Sequence, residues 1–476
     1  MQGSYIARQR RTSISTRLSV FLAGLLLAGC ASLPDIRELP QRQTIRSAPT
    51  IENSQGNLSR ERARSLLLQR VRGTRTDIVK LAAMEEAATG SPLIAGNRTT
   101  LLFDGPQAMG AMLNAIRDAR DNINLETYIF DQDELGLQFA DLLIEKQLAG
   151  VQVNILYDSI GSLATPRAFF DRMQAAGIRL IEFNPVNPLR RLGSWRLNNR
   201  DHRKILVVDG KIAFTGGVNI TEDYSKSSLF RSGGSSKAAA SSASGADGIG
   251  WRDTHIQLEG PAVASMQLLF LKAWASQRDG DIADREYFPP LPEVGDKLVR
   301  VLGSEPGGDF EIYKAYVLAI QEARKSIHLT AAYFAPDVQL LDAIKAAARR
   351  GVDVKIIFPS ISDAGLVFHA GRSFYTELLN AGVQIFELKA SVLHAKTAVV
   401  DGAWSTVGSS NMDIRSFLHN SEVNLVILST EFGGIMESAF AEDLKNSLPV
   451  SKEEWSQRPL NQRVKEWASR NFEYWL

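Results

Sequence analysis

Two histidine–lysine pairs, each followed five residues later by an aspartate, are the residues of this sequence best suited to chemistry. They are His202, Lys204 and Asp209 in the first copy and, 192 residues later, His394, Lys396 and Asp401 in the second. An asparagine follows each histidine at the same offset, as Asn219 and as Asn411. One match to such a loose pattern can arise by chance, but two copies with identical spacing indicate a duplicated functional unit.

An imidazole beside an ammonium group, presented twice, suits phosphoryl transfer. A neutral histidine can attack phosphorus to form a covalent intermediate, while a second histidine protonates the departing oxygen. Two lysines and two asparagines would bind the non-bridging oxygens, whose negative charge grows in the transition state. The alternative is a pair of basic hairpins with satisfied surface histidines, which the repeat disfavours. We therefore interpret the histidines and lysines as catalytic and Asn219 and Asn411 as phosphate-binding.

The residues around the motifs predict how the reactive side chains are positioned. In each copy an apolar, β-branched run ends in an Asp-Gly pair, which favours a strand followed by a tight hairpin. Because strand side chains alternate between faces, His202 and Lys204 share one face, and the second copy behaves alike. Asp209 and Asp401 fall at the turns, so within the catalytic motifs we interpret them as turn and scaffold groups.

A candidate supporting carboxylate follows each motif. Glu422 comes 28 residues after His394, and Asp253 comes 51 residues after His202. The first half carries a Ser/Gly/Ala-rich stretch, Ser225–Gly250, and removing about 23 residues of it equalises the two offsets. Carboxylates at these positions would orient each imidazole through its Nδ1 hydrogen, whereas exposed strand carboxylates are the alternative. The stretch at 225–250 is predicted to be a disordered insert, either passive or a flap over the site.

These motifs resemble the phospholipase D superfamily, whose mark is a duplicated His-x-Lys-x4-Asp motif, and more closely its bacterial cardiolipin synthase branch. The resemblance covers about residues 101–448. At the level of the branch it rests on Asp201–Asn219 (DHRKILVVDGKIAFTGGVN), Trp251–Pro261 (WRDTHIQLEGP) and Leu393–Ser416. It implies a phosphohistidine intermediate with His202 as the nucleophile, and acidic residues after each motif that orient the imidazoles.

The order of predicted strands and helices repeats between the two halves. Such alternation predicts two tandem α/β domains, at 99–285 and 298–448, joined by a proline-rich linker at 286–297. The resemblance implies that both are phospholipase D-like. Since each half carries one histidine and one lysine, we expect the halves to pack as a pseudo-symmetric pair with the active site between them. A single chain would then suffice for function.

The N-terminus is predicted to target the protein to a membrane. Residues 1–29 look like a signal peptide, because four arginines precede the apolar run Val20–Gly29 with no acidic residue. The sequence around Cys30, the only cysteine, resembles a bacterial lipobox, so we predict its lipidation; a plain signal peptide is the alternative. Residues 30–57 would form a tether and 58–98 an N-terminal helical segment. The predicted location is a membrane-anchored lipoprotein facing the periplasm, with the inner and outer membranes both open.

Composition narrows the expected partners. Removal of residues 1–29 leaves 50 basic against 53 acidic side chains, a net charge of −3, which does not indicate a globally basic nucleic-acid binder. We expect phospholipid substrates, phosphatidylglycerol first among them, and a membrane surface. No metal or other cofactor is expected, because the sequence has no HExxH motif and no clustered Cys/His spacing.

Two arginines and the C-terminal tail are further candidates for contact with lipid. Arg372 and Arg415 are candidates for binding the headgroup of an acceptor, because guanidinium groups bind phosphate in a bidentate manner. The tail at 449–476 is rich in aromatic residues, which favour membrane interfaces but also pack as ordinary helices.

The function predicted from these features is a phosphatidyltransferase that makes cardiolipin by moving a phosphatidyl group onto phosphatidylglycerol. The same covalent intermediate met by water would give a phospholipase D that releases phosphatidic acid, which is the alternative. An exported nuclease of the same superfamily is the third hypothesis. The net charge and the branch resemblance argue against it.

Overall fold

A computed structural model describes residues 32–36, 48–187, 198–225, 250–277, 282–472 and 474. The chain divides into a short unit, Met1–Pro34, and a large unit, Asp35–Leu476, which contains every element named below. The predicted signal peptide, Cys30 and most of the predicted insert lie outside the described residues.

The first half of the large unit alternates strands and helices around one sheet. Its elements are β1 (Ile51–Asn53), β2 (Gly56–Asn57), α1 (Arg60–Arg70), α2 (Ile78–Thr89), β3 (Leu93–Leu102), α3 (Gly105–Asp118), β4 (Asn122–Thr127), α4 (Glu134–Leu148), β5 (Gln152–Asp158), α5 (Arg167–Ala175), β6 (Arg179–Phe183), β7 (Arg200–Asp201), β8 (Ile205–Val208), β9 (Ile212–Gly216), a 3-10 turn (Glu222–Tyr224), β10 (Trp251–Arg252), β11 (His255–Glu259) and α6 (Val263–Ser276).

The second half repeats this order and then adds a C-terminal extension. Its elements are β12 (Lys297–Ser304), α7 (Glu311–Glu322), β13 (Ser326–Ala331), β14 (Phe334–Ala335), α8 (Val338–Arg349), β15 (Asp353–Pro359), α9 (Gly365–Ser373), α10 (Tyr375–Ala381), β16 (Gln384–Leu388), β17 (Val392–Leu393), β18 (Lys396–Val400), β19 (Trp404–Gly408), β20 (Met412–Asp413), α11 (Ile414–Leu418), β21 (Asn420–Leu428), α12 (Thr430–Lys445), β22 (Ser447–Pro449), α13 (Lys452–Ser456) and α14 (Leu460–Arg470).

The two halves have the same sheet topology. In the first, strands lie in the order β6-β5-β4-β8-β9-β11-β3, with β6, β5 and β4 parallel and the remaining pairings antiparallel. In the second, the order β16-β15-β13-β18-β19-β21-β12 has the same pattern of directions. An antiparallel pairing of β3 with β12 joins the halves into one continuous sheet. The predicted duplicated α/β fold is therefore confirmed.

The motif strands lie at the centre of a core that both halves share. Strands β4 and β5 have every residue buried, because helices cover both faces of the sheet. One apolar cluster contains residues of both halves: Ile205 and Val207 of the first motif strand, Met266 of α6, and Val399 and Val407 of the second half. This shared cluster fixes the two motif strands relative to each other.

Two segments differ from their predictions. The hairpin of β1 and β2 lies within the residues predicted to form a tether. This part of the chain is folded onto the large unit, because Ile51 is completely buried and β1 pairs with β3. The first domain begins at Leu93 rather than at residue 99, since the start of β3 pairs with both β1 and β12. The tail is folded as β22, α13 and α14, and helices were one of the two alternatives predicted for it. The helical segment predicted near the N-terminus forms as α1 and α2.

Among the helices of the described residues, none combines the length and the hydropathy needed to cross a bilayer.

Candidate active site

Each motif histidine is held by a strand from the opposite half. The short strand β7, directly before His202, pairs in parallel with the start of β21, and β10 pairs in parallel with β17, directly before His394. The backbone N–H of His202 donates to the carbonyl of Ser421 at 3.0 Å, and that of His394 donates to the carbonyl of Arg252 at 2.8 Å. This reciprocal exchange brings the two motifs together.

Each supporting carboxylate likewise contacts the histidine of the opposite half. Nδ1 of His202 lies 3.0 and 3.1 Å from the two carboxylate oxygens of Glu422, and Nδ1 of His394 lies 2.7 Å from Oδ2 of Asp253. Both carboxylates are completely buried. An ionised carboxylate only accepts hydrogen bonds, so each imidazole carries its proton at Nδ1 and keeps a lone pair at Nε2. Each histidine is thus oriented as the general base of a catalytic triad is oriented.

The two imidazoles line one cavity of about 230 Å³. Asn219, Asn411 and Arg415 share this lining, and Tyr128 and Tyr333 form aromatic walls. The volume lies below the range of about 300–1,000 Å³ typical of sites that enclose a drug-sized ligand. The cavity therefore suits a phosphodiester with a small headgroup, and long apolar chains attached to it would remain outside.

The buried histidines favour the neutral form. Burial lowers the pKa of His202 to about 4, although the neighbouring Glu422 opposes this change. Burial also lowers the pKa of His394, against the opposing effect of Asp253. Burial alone would raise the pKa of both carboxylates, but the histidines and lysines beside them reverse the direction and lower it. At neutral pH the site therefore holds two neutral imidazoles and two carboxylates.

The two lysines are cations held near their titration point. Burial lowers the pKa of Lys204 to about 7 and that of Lys396 to about 8. Each ammonium group donates to the carbonyl of its own motif histidine, at 2.7 Å for Lys204. Neither lysine is among the residues that line the cavity, and the charge of an anion bound close to them would restore a higher lysine pKa.

The pH profile follows from these shifts. The histidine that acts as general acid must gain a proton, and both lysines must keep theirs to stabilise a phosphorane-like transition state. The value of kcat/KM should therefore fall as pH rises above the lowered pKa of His394, and fall further through about 7 to 8, where Lys204 and Lys396 lose their charge. On the acid side, activity should fall only near pH 4, where the neutral form of His202 is lost. A bound phosphodiester raises both lysine pKa values, so the alkaline limb of kcat should lie at higher pH than that of kcat/KM. A kcat/KM that stays constant between pH 6 and pH 10 would contradict this interpretation.

The two asparagines, which the sequence predicts to bind phosphate, line the cavity. Asn411 is buried, and its Oδ1 has no hydrogen-bond partner among the described residues. Asn219 accepts the backbone N–H of Ile129 at 3.3 Å, and its amide donates to the hydroxyl of Tyr224 at 3.4 Å. Their roles in binding phosphate remain predictions.

The motif aspartates act on the backbone and do not line the cavity. Asp209 accepts hydrogen bonds from the backbone N–H groups of Arg120, Asp121 and Asn122. Asp401 does the same for residues 324, 325 and 326. Both have a positive φ, 52° and 53°, as the hairpin turns require. The structure gives them scaffold positions, so they are not reacting groups.

The structure separates the two arginines that the sequence grouped. Arg415 lines the cavity, and its guanidinium donates to the side chain of Asn198 at 3.0 Å. Arg372 lies outside the lining: it pairs with Glu387 at 2.9 Å and lies 5.1 Å from the ring centre of Trp455. This placement argues against the prediction that Arg372 contacts an acceptor, because Glu387 of β16 and the ring of Trp455 in the tail occupy its guanidinium. The predicted lipidation site, Cys30, lies outside the described residues.

Several residues of the site lie outside the sequence motifs. The rings of Tyr128 and Tyr333 lie 5.2 and 6.0 Å from the Nζ atoms of Lys204 and Lys396. Their signal was their matching position near the ends of equivalent strands in the two halves. Tyr224 places its hydroxyl 3.0 Å from Nδ1 of His394.

The residues that contact the two carboxylates differ between the halves. The hydroxyl of Ser409 donates to Glu422, and the amide of Asn420 donates to it at 3.1 Å. Gly217 occupies the place equivalent to Ser409, and a Cβ there would overlap the carboxylate of Asp253. The small-residue turns after the motifs are therefore needed to let the carboxylates approach.

Two half-sheets that each bring one motif histidine to a common cavity, with a buried lysine two residues after it, define an enzyme of the phospholipase D fold. The chain belongs to the family described as "Cardiolipin synthase, PLD-like domain", whose sequence model matches residues 112–228 and 316–444.

Known relatives agree with this assignment. A cardiolipin synthase of Geobacillus thermodenitrificans is 36% identical over 384 residues, which cover 80% of this chain and 72% of the relative. A cardiolipin synthase of Halalkalibacterium halodurans is 35% identical over 404 residues, or 84% and 76% of the two chains. The crystal structure of phosphatidylserine synthase from Haemophilus influenzae Rd KW20 matches with a TM-score of 0.59 at 14% identity, covering 82% of this chain and 99% of that one. The structural match supports the fold alone.

Proposed function

We propose that the protein is a phosphatidyltransferase that makes cardiolipin from two phospholipids, with phosphatidylglycerol as the acceptor. The observation that carries the proposal is the single cavity lined by His202 and His394, each with a buried carboxylate on Nδ1. The membership of the cardiolipin synthase family supports the choice of substrate.

In the first half-reaction, Nε2 of His202 attacks the phosphorus of the donor, and the bond from phosphorus to the headgroup oxygen breaks. His394 takes up a proton at Nε2 from solvent when the anionic donor binds and gives it to that oxygen, so the headgroup leaves as a neutral alcohol, which is glycerol when the donor is phosphatidylglycerol. A phosphodiester anion beside His394 raises the pKa of the imidazole, and Asp253 at 2.7 Å stabilises the imidazolium. In the second half-reaction, His394 takes the proton of the acceptor hydroxyl, whose oxygen displaces His202.

Lys204 and Lys396 bind the non-bridging oxygens through both half-reactions. Their charges offset the negative charge that grows on these oxygens, and the burial of both lysines strengthens the interaction. Removal of one preorganised donor of this kind typically raises the barrier by about 3–4 kcal/mol.

Hydrolysis is the competing fate of the phosphohistidine. Water is present at roughly 55 M, while a well-oriented neighbouring nucleophile can reach an effective molarity of about 10⁵–10⁸ M. Transfer therefore wins when the site holds the acceptor headgroup in place. Arg415 is suited to this role, because it lines the cavity beside Asn411.

The product ratio tests both the function and the role of Arg415. Full-length protein in vesicles of labelled phosphatidylglycerol should form cardiolipin and glycerol, and formation of phosphatidic acid alone would contradict the synthase assignment. Arg415→Ala should consume the donor while shifting the ratio towards phosphatidic acid by about ten- to 150-fold. This is the effect of losing a charge-assisted hydrogen bond of about 1.5–3 kcal/mol.

Arg372→Ala is the matched control, because it removes the same side chain outside the cavity. Its product ratio should equal that of the wild type. An unchanged ratio in Arg415→Ala would assign the acceptor to other residues.

We also propose that Cys30 carries the lipid anchor and that the protein faces the periplasm. The support is the apolar run that ends at Leu27-Ala28-Gly29-Cys30, together with the use of phospholipid substrates. Several acyl chains on one residue hold a protein firmly at a membrane surface. Labelled fatty acid that enters the wild type but not Cys30→Ala would support the anchor, and no labelling of the wild type would refute it.

A further inference from the structure

The C-terminal helix α14 exposes its apolar face and buries its polar face. It packs against α9, with Glu466 and Ser469 buried on the packed side. Leu460, Val464 and Trp467 are 72%, 53% and 71% exposed. Their spacing of four and three residues places them in one stripe, on the side of the helix that points away from the protein.

Polar contacts fix the helix in this orientation. The carboxylate of Glu466 accepts hydrogen bonds from Arg458 at 2.8 Å and from Gln462 at 3.1 Å. Arg470 pairs with Glu377 of α10 at 2.8 Å. The contacts with Arg458 and Glu377, which lie outside the helix, would break if the helix turned its apolar stripe inwards, so the stripe faces outwards in the folded protein.

The surroundings of the stripe are basic and continue its apolar surface. Arg463 and Lys465 are exposed on either side of it, and neither forms an ion pair with another described residue. Phe472 follows the helix and is also half exposed. A groove of about 420 Å³ runs along the helix between the stripe and Ser373 at the end of α9. An apolar stripe with an interfacial tryptophan and flanking cations complements an anionic phospholipid surface.

The stripe is one helix away from the catalytic cavity. Helix α9, on which α14 packs, contributes Val367 to the cavity lining and exposes Leu366 on its outer side. We propose that α14 docks on an anionic bilayer through Leu460, Val464 and Trp467. The docked helix would hold the cavity close to the lipid headgroups. The inference rests on the proposed function, because a membrane-embedded substrate is what requires such an orientation.

A depth measurement tests the docking without turnover. Because Cys30 is the only cysteine, a full-length chain with Cys30→Ala and Val464→Cys carries one thiol for a nitroxide label. On vesicles of equal phosphatidylglycerol and phosphatidylcholine, accessibility of this label to oxygen should rise and accessibility to a nickel chelate should fall. Vesicles of phosphatidylcholine alone should give a smaller change at low salt.

The matched control carries Leu148→Cys in the same Cys30→Ala chain. Leu148 is 73% exposed at the end of α4, directly before the N-terminal end of β5, so its label should remain in water. A label at 464 that stays accessible to the nickel chelate on bound vesicles would refute the proposal, as would failure to bind the anionic vesicles. A label at 464 that is immobilised without vesicles, in a dimer, would instead assign the stripe to a second copy of the chain and also refute it.

Activity separates failure of the docking from failure of the function. The variant with Leu460→Gln, Val464→Gln and Trp467→Gln should keep wild-type transfer in detergent micelles, where no bilayer has to be bound. On anionic vesicles it should lose activity at least tenfold, whereas Leu148→Gln with Ile435→Gln should lose none. Insertion of the label at position 464, together with a wild type that makes no cardiolipin in micelles, would overturn the proposed function and leave the docking intact. Equal vesicle activity in stripe and control variants would overturn the docking.

Discussion

His202→Ala and His394→Ala should each abolish transfer to natural phospholipids, yet only His394→Ala should still form a covalent adduct. The nucleophile is indispensable, and loss of the corresponding catalytic unit in a hydrolase reduces kcat by about 10⁶-fold. Loss of a general acid costs about 10²–10⁴-fold, and less when the leaving group needs no proton. A short-chain phosphatidyl ester of p-nitrophenol should therefore release p-nitrophenol with His394→Ala and not with His202→Ala.

Intact-protein mass spectrometry and peptide mapping would locate the adduct. The expected result is a phosphatidyl group on His202 in the His394→Ala variant, which accumulates because His394 also activates the second nucleophile. His328→Ala is the control, because His328 pairs with Glu437 at 2.6 Å outside the cavity and should have wild-type rates. An adduct on His394 in the His202→Ala variant would reverse the two roles.

The repeated elements of the fold were predictable because local patterns determine them. The β-branched runs after each histidine and the Asp-Gly turns gave the motif strands, which form as β8 and β18 and continue into hairpins. The matching strand–helix order of the halves predicted the duplication, which the sheet topology confirms. These features depend on residues close together in the sequence.

Features that depend on distant residues were missed. The exchange of β7 and β10 between the halves joins residues more than 140 positions apart, and no periodicity reports such pairings. Arg372 looked available in the sequence, but Trp455, 83 residues later, lies against its guanidinium. The β1–β2 hairpin has only five strand residues, and its sequence is mostly polar.

The tail shows the same distinction between pattern and placement. The spacing of Leu460, Val464 and Trp467 is that of an ordinary amphipathic helix, whose apolar face would be expected in the core. Ion pairs of Glu466 and Arg470 with residues outside the helix select the opposite orientation. The spacing of these residues is therefore compatible with a helix in either orientation, and tertiary contacts determine which face is exposed.

Replacement of the buried carboxylates should impair each histidine across the boundary between the halves. In Glu422→Gln the side-chain amide can donate to Nδ1 of His202, which moves the imidazole proton to Nε2 and removes the nucleophilic lone pair. The equivalent change in a serine protease reduces kcat by about 10⁴-fold, and we expect a similar loss here. Ser409 and Asn420 also contact Glu422, so the isosteric amide keeps the packing.

Asp253→Asn should act on His394 instead, although Asp253 belongs to the same half as His202. With the p-nitrophenyl ester, Glu422→Gln should slow the release of p-nitrophenol by about 10⁴-fold, because His202 must attack whatever the leaving group. Asp253→Asn should leave that release nearly unchanged and slow transfer from natural phospholipids, where His394 must supply a proton. Glu437→Gln, which removes a carboxylate from a histidine outside the cavity, should change neither rate. A larger loss of p-nitrophenol release in Asp253→Asn than in Glu422→Gln would mean either that each carboxylate serves the histidine of its own half or that His394 is the nucleophile, and the site of the adduct would distinguish the two.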